Sequence, residues 1–242
     1  MLSPPRAILF DLDETLLSFG HRPDQIRAVV DETPDLFAPL PPESAVEVIE
    51  AAFRAHWADQ ARHRAWRAKP LIEARRHIAR DAFAALERHG CINLTDDAAV
   101  AFGDRFHAYR ETQITLYPDA LEILAAFRDR GLRLALVTNG AAQVQRPKIE
   151  RFGLAGLFDH IQIEGEHGFG KPEPRAYHHA LEKVGAAAHE TWMVGDNLEW
   201  EVIAPQRIGV HAIWFDPRGA GLPPDSPARP DRIIKALSEL LD

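Results

Sequence analysis

Apolar and polar positions alternate in two textures along the chain. Ala7, Ile8, Leu9 and Phe10 form an unbroken apolar run, followed by Asp11-Leu12-Asp13-Glu14-Thr15-Leu16-Leu17. The run is too short for a helix and has no polar alternation, which suits a central parallel strand covered on both faces. From Ser18 to about Thr115 the texture is helical. A short helix is expected over Asp24 to Asp31, and Pro34, Pro39, Pro41 and Pro42 then impose a loop. Ser44, with Glu47 three residues on, reads as an N-cap with a capping box. Val46, Ile49, Phe53 and Trp57 follow at helical spacing in a helix expected to reach about Ala68. Further helices are expected over Leu71 to His89 and from Thr95 or Asp96 onward.

After Leu116-Tyr117-Pro118 the pattern predicts alternating strands and helices. Pro118 to Arg130 reads as a helix with proline in first position. Strands are expected at Leu132–Val137, Phe158–Glu164, Thr191–Val194 and, last, Val210–Phe215. Helices are expected between them at Ala141–Phe152, Pro174–Val184 and Leu198–Ile208. A Gly/Pro-rich surface stretch, Gly219–Pro230, precedes a terminal helix over Asp231–Leu241. This order predicts an α/β protein. Its doubly wound, Rossmann-like parallel sheet core would comprise residues 1–17 and 116–242, with an α-helical cap inserted at residues 18–115.

Composition narrows the classes. The 242 residues carry a formal net charge of −8, which argues against a general nucleic-acid binder. One cysteine, Cys91, allows neither a disulfide framework nor a cysteine-based metal site within the chain. No apolar run approaches a membrane span, and the first strand begins too early to leave room for a signal peptide. The expectation is a cytoplasmic protein, monomer or homodimer, with no membrane or nucleic-acid partner.

Candidate chemistry collects at the expected C-terminal ends of strands: Asp11 and Asp13, Thr138 and Asn139, and Asp196, with Lys171 in the loop Gly168-Phe169-Gly170-Lys171-Pro172. An open parallel sheet brings such ends to one crevice. Taken alone, Asp11-x-Asp13 is equally well read as a turn after a strand. Together, three carboxylates suit Mg²⁺, and a hydroxyl, an amide and an ammonium suit an anion. There is neither a P-loop Gly-x-x-x-x-Gly-Lys-Ser/Thr nor a Gly-x-Ser-x-Gly elbow.

In this order, Asp11-x-Asp13-x-Thr15, Thr138-Asn139, Lys171 and Gly195-Asp196 resemble the motifs of the haloacid dehalogenase-like (HAD) hydrolase superfamily. The helical insertion is similar to the C1 cap of its phosphatase subfamily. The resemblance implies a Mg²⁺-dependent phosphatase of a small phosphorylated metabolite. Asp11 would be the nucleophile that forms an aspartyl-phosphate, and Asp13 the general acid and then base. Burial and neighbouring carboxylates are expected to keep Asp13 protonated. Mg²⁺ would be held by the Asp11 carboxylate, the Asp13 backbone carbonyl and the Asp196 carboxylate. Thr138, Asn139 and Lys171 would bind the phosphoryl group, with Thr138 and Lys171 taking part in catalysis. Thr15 would brace the loop.

The resemblance has one departure: the second acid of the last motif, usually Asp, is Glu201 here, a further candidate for the metal site. Asp13 argues against a dehalogenase, whose halide leaves without a proton, and against the phosphonate hydrolases, which lack the second Asp and use a cap lysine; Lys69 is the only lysine in 18–115. A mutase of the β-phosphoglucomutase kind shares all the motifs and stays open. A non-catalytic phosphoacceptor module would be about half as long and have no cap.

Other features are weaker. Arg54, Arg62, Arg64, Arg67, Lys69, Arg75, Arg76, Arg80 and Arg88 form a basic stretch, either a solvated helix surface or a crevice face that attracts an anionic substrate. Phe19, His21 and Arg22 fall where a hinge and lid are expected. His178 and His179 diverge on a helix and cannot share a metal with each other, whereas His167, just before Lys171, is within reach of the crevice or lies on the surface. Trp200 is expected to pack or wall the pocket.

Overall fold

A computed structural model of the chain describes residues 3–58, 65 and 70–241. Two compact units appear, one of Met1–Ser18 with Leu116–Asp242 and the other Phe19–Thr115.

The first unit is built on a six-stranded parallel sheet of β1 (Ala7–Phe10), β2 (Arg133–Thr138), β3 (His160–Ile163), β4 (Thr191–Gly195), β5 (His211–Phe215) and β6 (Arg232–Ile234). Its strand order is β3-β2-β1-β4-β5-β6, the doubly wound arrangement. β1 lies between β2 and β4, with Ala7 opposite Arg133 on one side and Thr191 on the other. All four β1 residues are buried because both faces are covered. Ala7 and Leu9 pack with Ala180, Leu181 and Val184 of helix Pro174–Val184. Phe10, on the opposite face by strand alternation, meets Phe127 and Phe158 at 6.5 and 6.4 Å between ring centroids. The Pro174 helix starts on proline and stops at Gly185, whose φ of 66° is left-handed.

The helical insert has its own core. Phe37, Phe53, Phe83, Phe102 and Phe106 are buried among helices Arg22–Val30, Pro42–Ala58, Leu71–Arg88 and Asp96–Thr112. Thr95 caps the last of these, its hydroxyl accepting from the Ala98 N–H at 3.1 Å. Among the described basic residues of the insert, Arg54, Arg75, Arg76 and Arg80 are each paired with an acid of the same unit: Glu50, Glu111, Asp104 and Asp96. Arg22 binds Glu50 through two nitrogens at 2.6 and 2.7 Å, and the Arg110 guanidinium lies over the Phe19 ring. Arg62, Arg64, Arg67, Lys69 and the expected extension of the helix to Ala68 lie outside the described residues. Among the described residues no helix is long and apolar enough to cross a membrane.

Five expectations change. Ser44 is not an N-cap: the helix begins at Pro42, and the Pro41 carbonyl already accepts the Ala45 N–H at 3.1 Å. Pro118 does not open a helix. It precedes Asp119, which has φ 65°, and the Tyr117 carbonyl accepts from Ala120, a type II turn that delays the helix to Ala120. The segment after Asp196 is not a uniform α-helix. Leu198–Ile203 is a π-helical turn, with the Ala204 N–H donating to the Glu199 carbonyl, followed by Ala204–Gln206. Pro205 explains the wider turn, since it has no N–H for the Glu201 carbonyl and its ring crowds that group.

The C-terminus is not a helix, and Val210–Phe215 is not the last strand. Arg232–Ile234 adds to the edge of β5, Trp214 opposite Ile233, and Leu237–Leu241 is a 3₁₀ segment. The Asp231 carboxylate accepts the Ala212 N–H at 2.8 Å and fixes that register. Ile234, Leu237 and Leu240 bury their side chains from this strand and turn, so a helical spacing of apolar residues was satisfied without a helix.

Candidate active site

Asp11 follows directly on β1. The backbone then coils tightly, the Leu12 carbonyl accepting from the Leu16 and Leu17 N–H groups at 3.0 and 2.9 Å, with Glu14 left-handed at φ 61°. This coil returns Thr15, fully buried, to Asp11: its hydroxyl donates to Oδ2 at 3.2 Å. Thr138 ends β2, and Gly195 with Asp196 ends β4. Because those strands flank β1, the three ends are neighbours. Asp11, Asp13, Thr138, Asn139, Asp196 and Glu201 line a cleft of about 190 Å³, walled also by Asn197 and Trp200.

Lys171 reaches the same place from its loop. Its side chain is wholly buried and its Nζ donates to Asp11 Oδ1 at 2.5 Å and Glu201 Oε1 at 2.7 Å. Asn139 explains how the loop is held, since its Nδ2 donates to the Lys171 carbonyl at 2.6 Å and its Oδ1 accepts the Lys171 N–H at 2.8 Å. The Asn139 amide expected to bind an anion is therefore spent on positioning Lys171. Glu201 is similarly occupied. Besides Lys171, its Oε2 accepts the Asn197 N–H at 2.7 Å.

Charge is unbalanced here. Burial pushes the Asp196 carboxyl well above its ordinary value, reinforced by Glu201, Asp11 and Glu14. Burial likewise raises Glu201, to about 7, and raises Asp11 against the opposing pull of Lys171. Burial disfavours the Lys171 ammonium, but Asp11 and Glu201 outweigh it and hold its pKa above the usual lysine value. One ammonium, that of Lys171, thus faces three acids and pairs with two of them, Asp11 and Glu201. An all-oxygen donor set with surplus negative charge fits a hard divalent cation such as Mg²⁺.

Gly195 makes room for the acid. A Cβ there would lie 2.1 Å from Glu201 Cγ, so the longer side chain of glutamate occupies space that only glycine leaves open. Gly195→Ala is expected to displace Glu201 from Lys171 and Asn197 and to destabilise the fold by about 1–3 kcal/mol, measured by denaturant unfolding.

Two residues at the site had no role in the sequence reading. Lys148 Nζ lies 2.7 and 2.9 Å from the two Asp13 oxygens, and Gln145 Nε2 donates to Asp13 Oδ2 at 2.9 Å, Thr138 Oγ1 at 2.6 Å and the Asn139 carbonyl at 2.9 Å. Both sit on helix Ala142–Arg151, one turn apart, and both are buried. Asp13 therefore faces an ammonium and an amide, not the ring of carboxylates expected. The only sequence signal was a pair of polar residues at i and i+3 just after the Thr138-Asn139-Gly140 strand end. His167 does not line the cleft; it packs against His160 and His179.

Comparisons with known proteins identify the family. The family model for haloacid dehalogenase-like hydrolases matches residues 5–209. A phosphoserine phosphatase of Thermus thermophilus is 35% identical over 257 residues, covering 97% of each chain. A ribulose-1,5-bisphosphate 5-phosphatase of Halopiger xanaduensis is 29% identical, covering 98% of each. The magnesium-bound HAD-hydrolase YfnB from Bacillus subtilis superposes with a TM-score of 0.69 at 20% identity, over 98% of this chain and 97% of that one, which shows a shared fold. The chain belongs to the haloacid dehalogenase-like hydrolases, in the phosphatase branch of that superfamily.

Proposed function

We propose that this protein is a Mg²⁺-dependent phosphatase of a small phosphorylated metabolite, acting through an aspartyl-phosphate on Asp11. One observation carries the reading. Asp11 sits at the mouth of the β1 end with its oxygens fixed by Lys171 and Thr15, in a cleft shared with Asp13, Thr138 and Asp196.

In the first step an Asp11 oxygen attacks phosphorus and the bond from phosphorus to the ester oxygen breaks, while Asp13 gives its proton to the departing alkoxide. In the second, Asp13 takes a proton from the water that attacks phosphorus, and the acyl-phosphate bond breaks to restore Asp11. Lys148 and Gln145 hold the Asp13 carboxyl in one orientation, and Gln145 ties it to Thr138. Thr138 and Lys171 meet the transferring oxygens, with Lys171 aimed by Asn139 and Glu201. The Asp11 carboxylate, the Asp13 carbonyl and the Asp196 carboxylate would hold Mg²⁺, with Glu201 beside them. When bound, that ion supplies positive charge to the phosphoryl oxygens and to the acids around it. The helical insert would act as a cap domain of the C1 type.

The relatives' names make phosphoserine and sugar phosphates the first esters to try. Phosphate release from such a panel is expected with Mg²⁺ and should fall to background with a chelator. Equal release in chelator, or isomerisation of a hexose phosphate without net release, would count against the proposal.

A further inference from the structure

The first unit carries a second group of side chains able to hold a metal, apart from the acidic cleft. His160 on β3, His167 at the end of the short helix Glu164–His167, and His179 on helix Pro174–Val184 each present a ring nitrogen, and these atoms lie within 4.8 Å of one another. All three rings are half-buried, so an ion has access from solvent.

Their tautomers are constrained. His167 Nδ1 lies 3.1 Å from the Ile163 carbonyl, a group that only accepts, so Nδ1 carries the proton and Nε2 the lone pair. His179 Nδ1 lies 2.7 Å from Gln162 Oε1, and Gln162 is itself oriented because its Nε2 donates to the Ala176 carbonyl at 3.0 Å. His179 Nε2 is thus also left with its lone pair. His160 Nε2 is buried with no hydrogen-bond partner. Backbone carbonyls and amides that orient ring nitrogens in this way are the usual outer supports of ligating histidines.

We propose that His160, His167 and His179 form a binding site for one late first-row divalent ion of the Zn²⁺ class. Three imidazole nitrogens with no carboxylate select such an ion over Mg²⁺. Zinc–nitrogen bonds of about 2.0–2.1 Å require ring nitrogens about 3.4 Å apart in a tetrahedron, so the rings close by roughly an ångström on binding. Solvent takes the fourth position. The ligands bracket the loop that delivers Lys171: His160 and His167 precede it and His179 follows it. The bound ion therefore staples both ends of that loop. Without an ion the rings pack edge to face with Phe169, which His167 and His179 approach at 5.7 and 5.5 Å between ring centroids.

The test uses tag-free, chelator-treated, full-length protein titrated with Co²⁺ and followed by visible absorption, then with Zn²⁺ in competition. The site predicts one Co²⁺ per chain with the intense bands of a tetrahedral nitrogen environment, displacement by Zn²⁺, and a rise in melting temperature with either ion. His167→Gln and His179→Gln should each weaken binding at least 100-fold, and Gln162→Met roughly 10- to 100-fold through loss of ring orientation. Asp196→Asn should leave the bands intact. Circular dichroism identifies any variant that does not fold, and the wild-type titration stands without them. Absence of the bands at micromolar Co²⁺ would overturn the proposal. So would bands lost in Asp196→Asn but kept in folded His167→Gln.

Discussion

Asp11→Asn is expected to lower metal-dependent phosphate release by at least about 10⁴-fold, the scale on which removal of a nucleophile usually acts. The amide has the shape of the carboxylate but cannot attack phosphorus or bind a cation strongly. It also removes one charge from a cleft in which burial already lifts Asp11, Asp196 and Glu201. The variant should therefore fold, and without metal it should melt no lower than the parent. Mg²⁺ should raise the melting temperature of the parent and raise that of the variant less. Thermal unfolding with and without Mg²⁺ thus separates loss of function from loss of fold. A variant that retained more than a few per cent of the parental rate would show that another group attacks phosphorus.

Lys171→Met should produce the next largest effect. Its ammonium touches both Asp11 and Glu201 and has no exposed side-chain surface. Deleting one partner of a buried ion pair typically costs about 3–5 kcal/mol. The cost here should fall at the lower end, because the acids left behind can take up protons. Phosphate release should drop roughly 10³-fold, as when one charged donor to a developing oxyanion is lost. Lys171→Arg should not restore it, because a planar guanidinium does not fit the slot that a point ammonium fills. Rates measured alongside denaturant unfolding would test both parts. Near-parental activity in Lys171→Arg would mean that positive charge alone suffices and the slot is looser than the geometry implies.

The parts of the fold that were legible in the sequence are those with local causes. The apolar runs of β1, β2 and β4 had to be buried strands, and Gly185 had to end a helix that begins at Pro174. Once the sheet is parallel, Asp11, Thr138 and Asp196 fall at neighbouring strand ends without further information. The rest depends on contacts that no spacing reveals. Lys148 and Gln145 carry no local signal of a role, and only the packing of that helix on the strand ends turns them toward Asp13. Asn139 looked like an anion donor because nothing local shows that its amide meets the Lys171 backbone. β6 was misread because Ile234, Leu237 and Leu240 satisfy helical spacing, while the open edge of β5 that captures Arg232–Ile234 is a property of the sheet. The three clustered histidines come from different elements, so their proximity is purely tertiary.

A covalent phosphoryl group on Asp11 can be trapped by mixing Asp13→Asn protein with Mg²⁺ and an aryl phosphate, quenching in acid within the first turnover, and locating the modification by peptide mass spectrometry. Asp13→Asn lacks both the acid of the first step and the base of the second, but an aryl phosphate's phenolate leaves without a proton, so Asp11 is still loaded while hydrolysis of the intermediate stalls. One added phosphoryl mass is expected on the peptide that contains Asp11, absent when chelator replaces Mg²⁺ and absent in the Asp11→Asn, Asp13→Asn double variant. Phosphate released at the parental rate with no labelled Asp11 peptide at any quench time would contradict it.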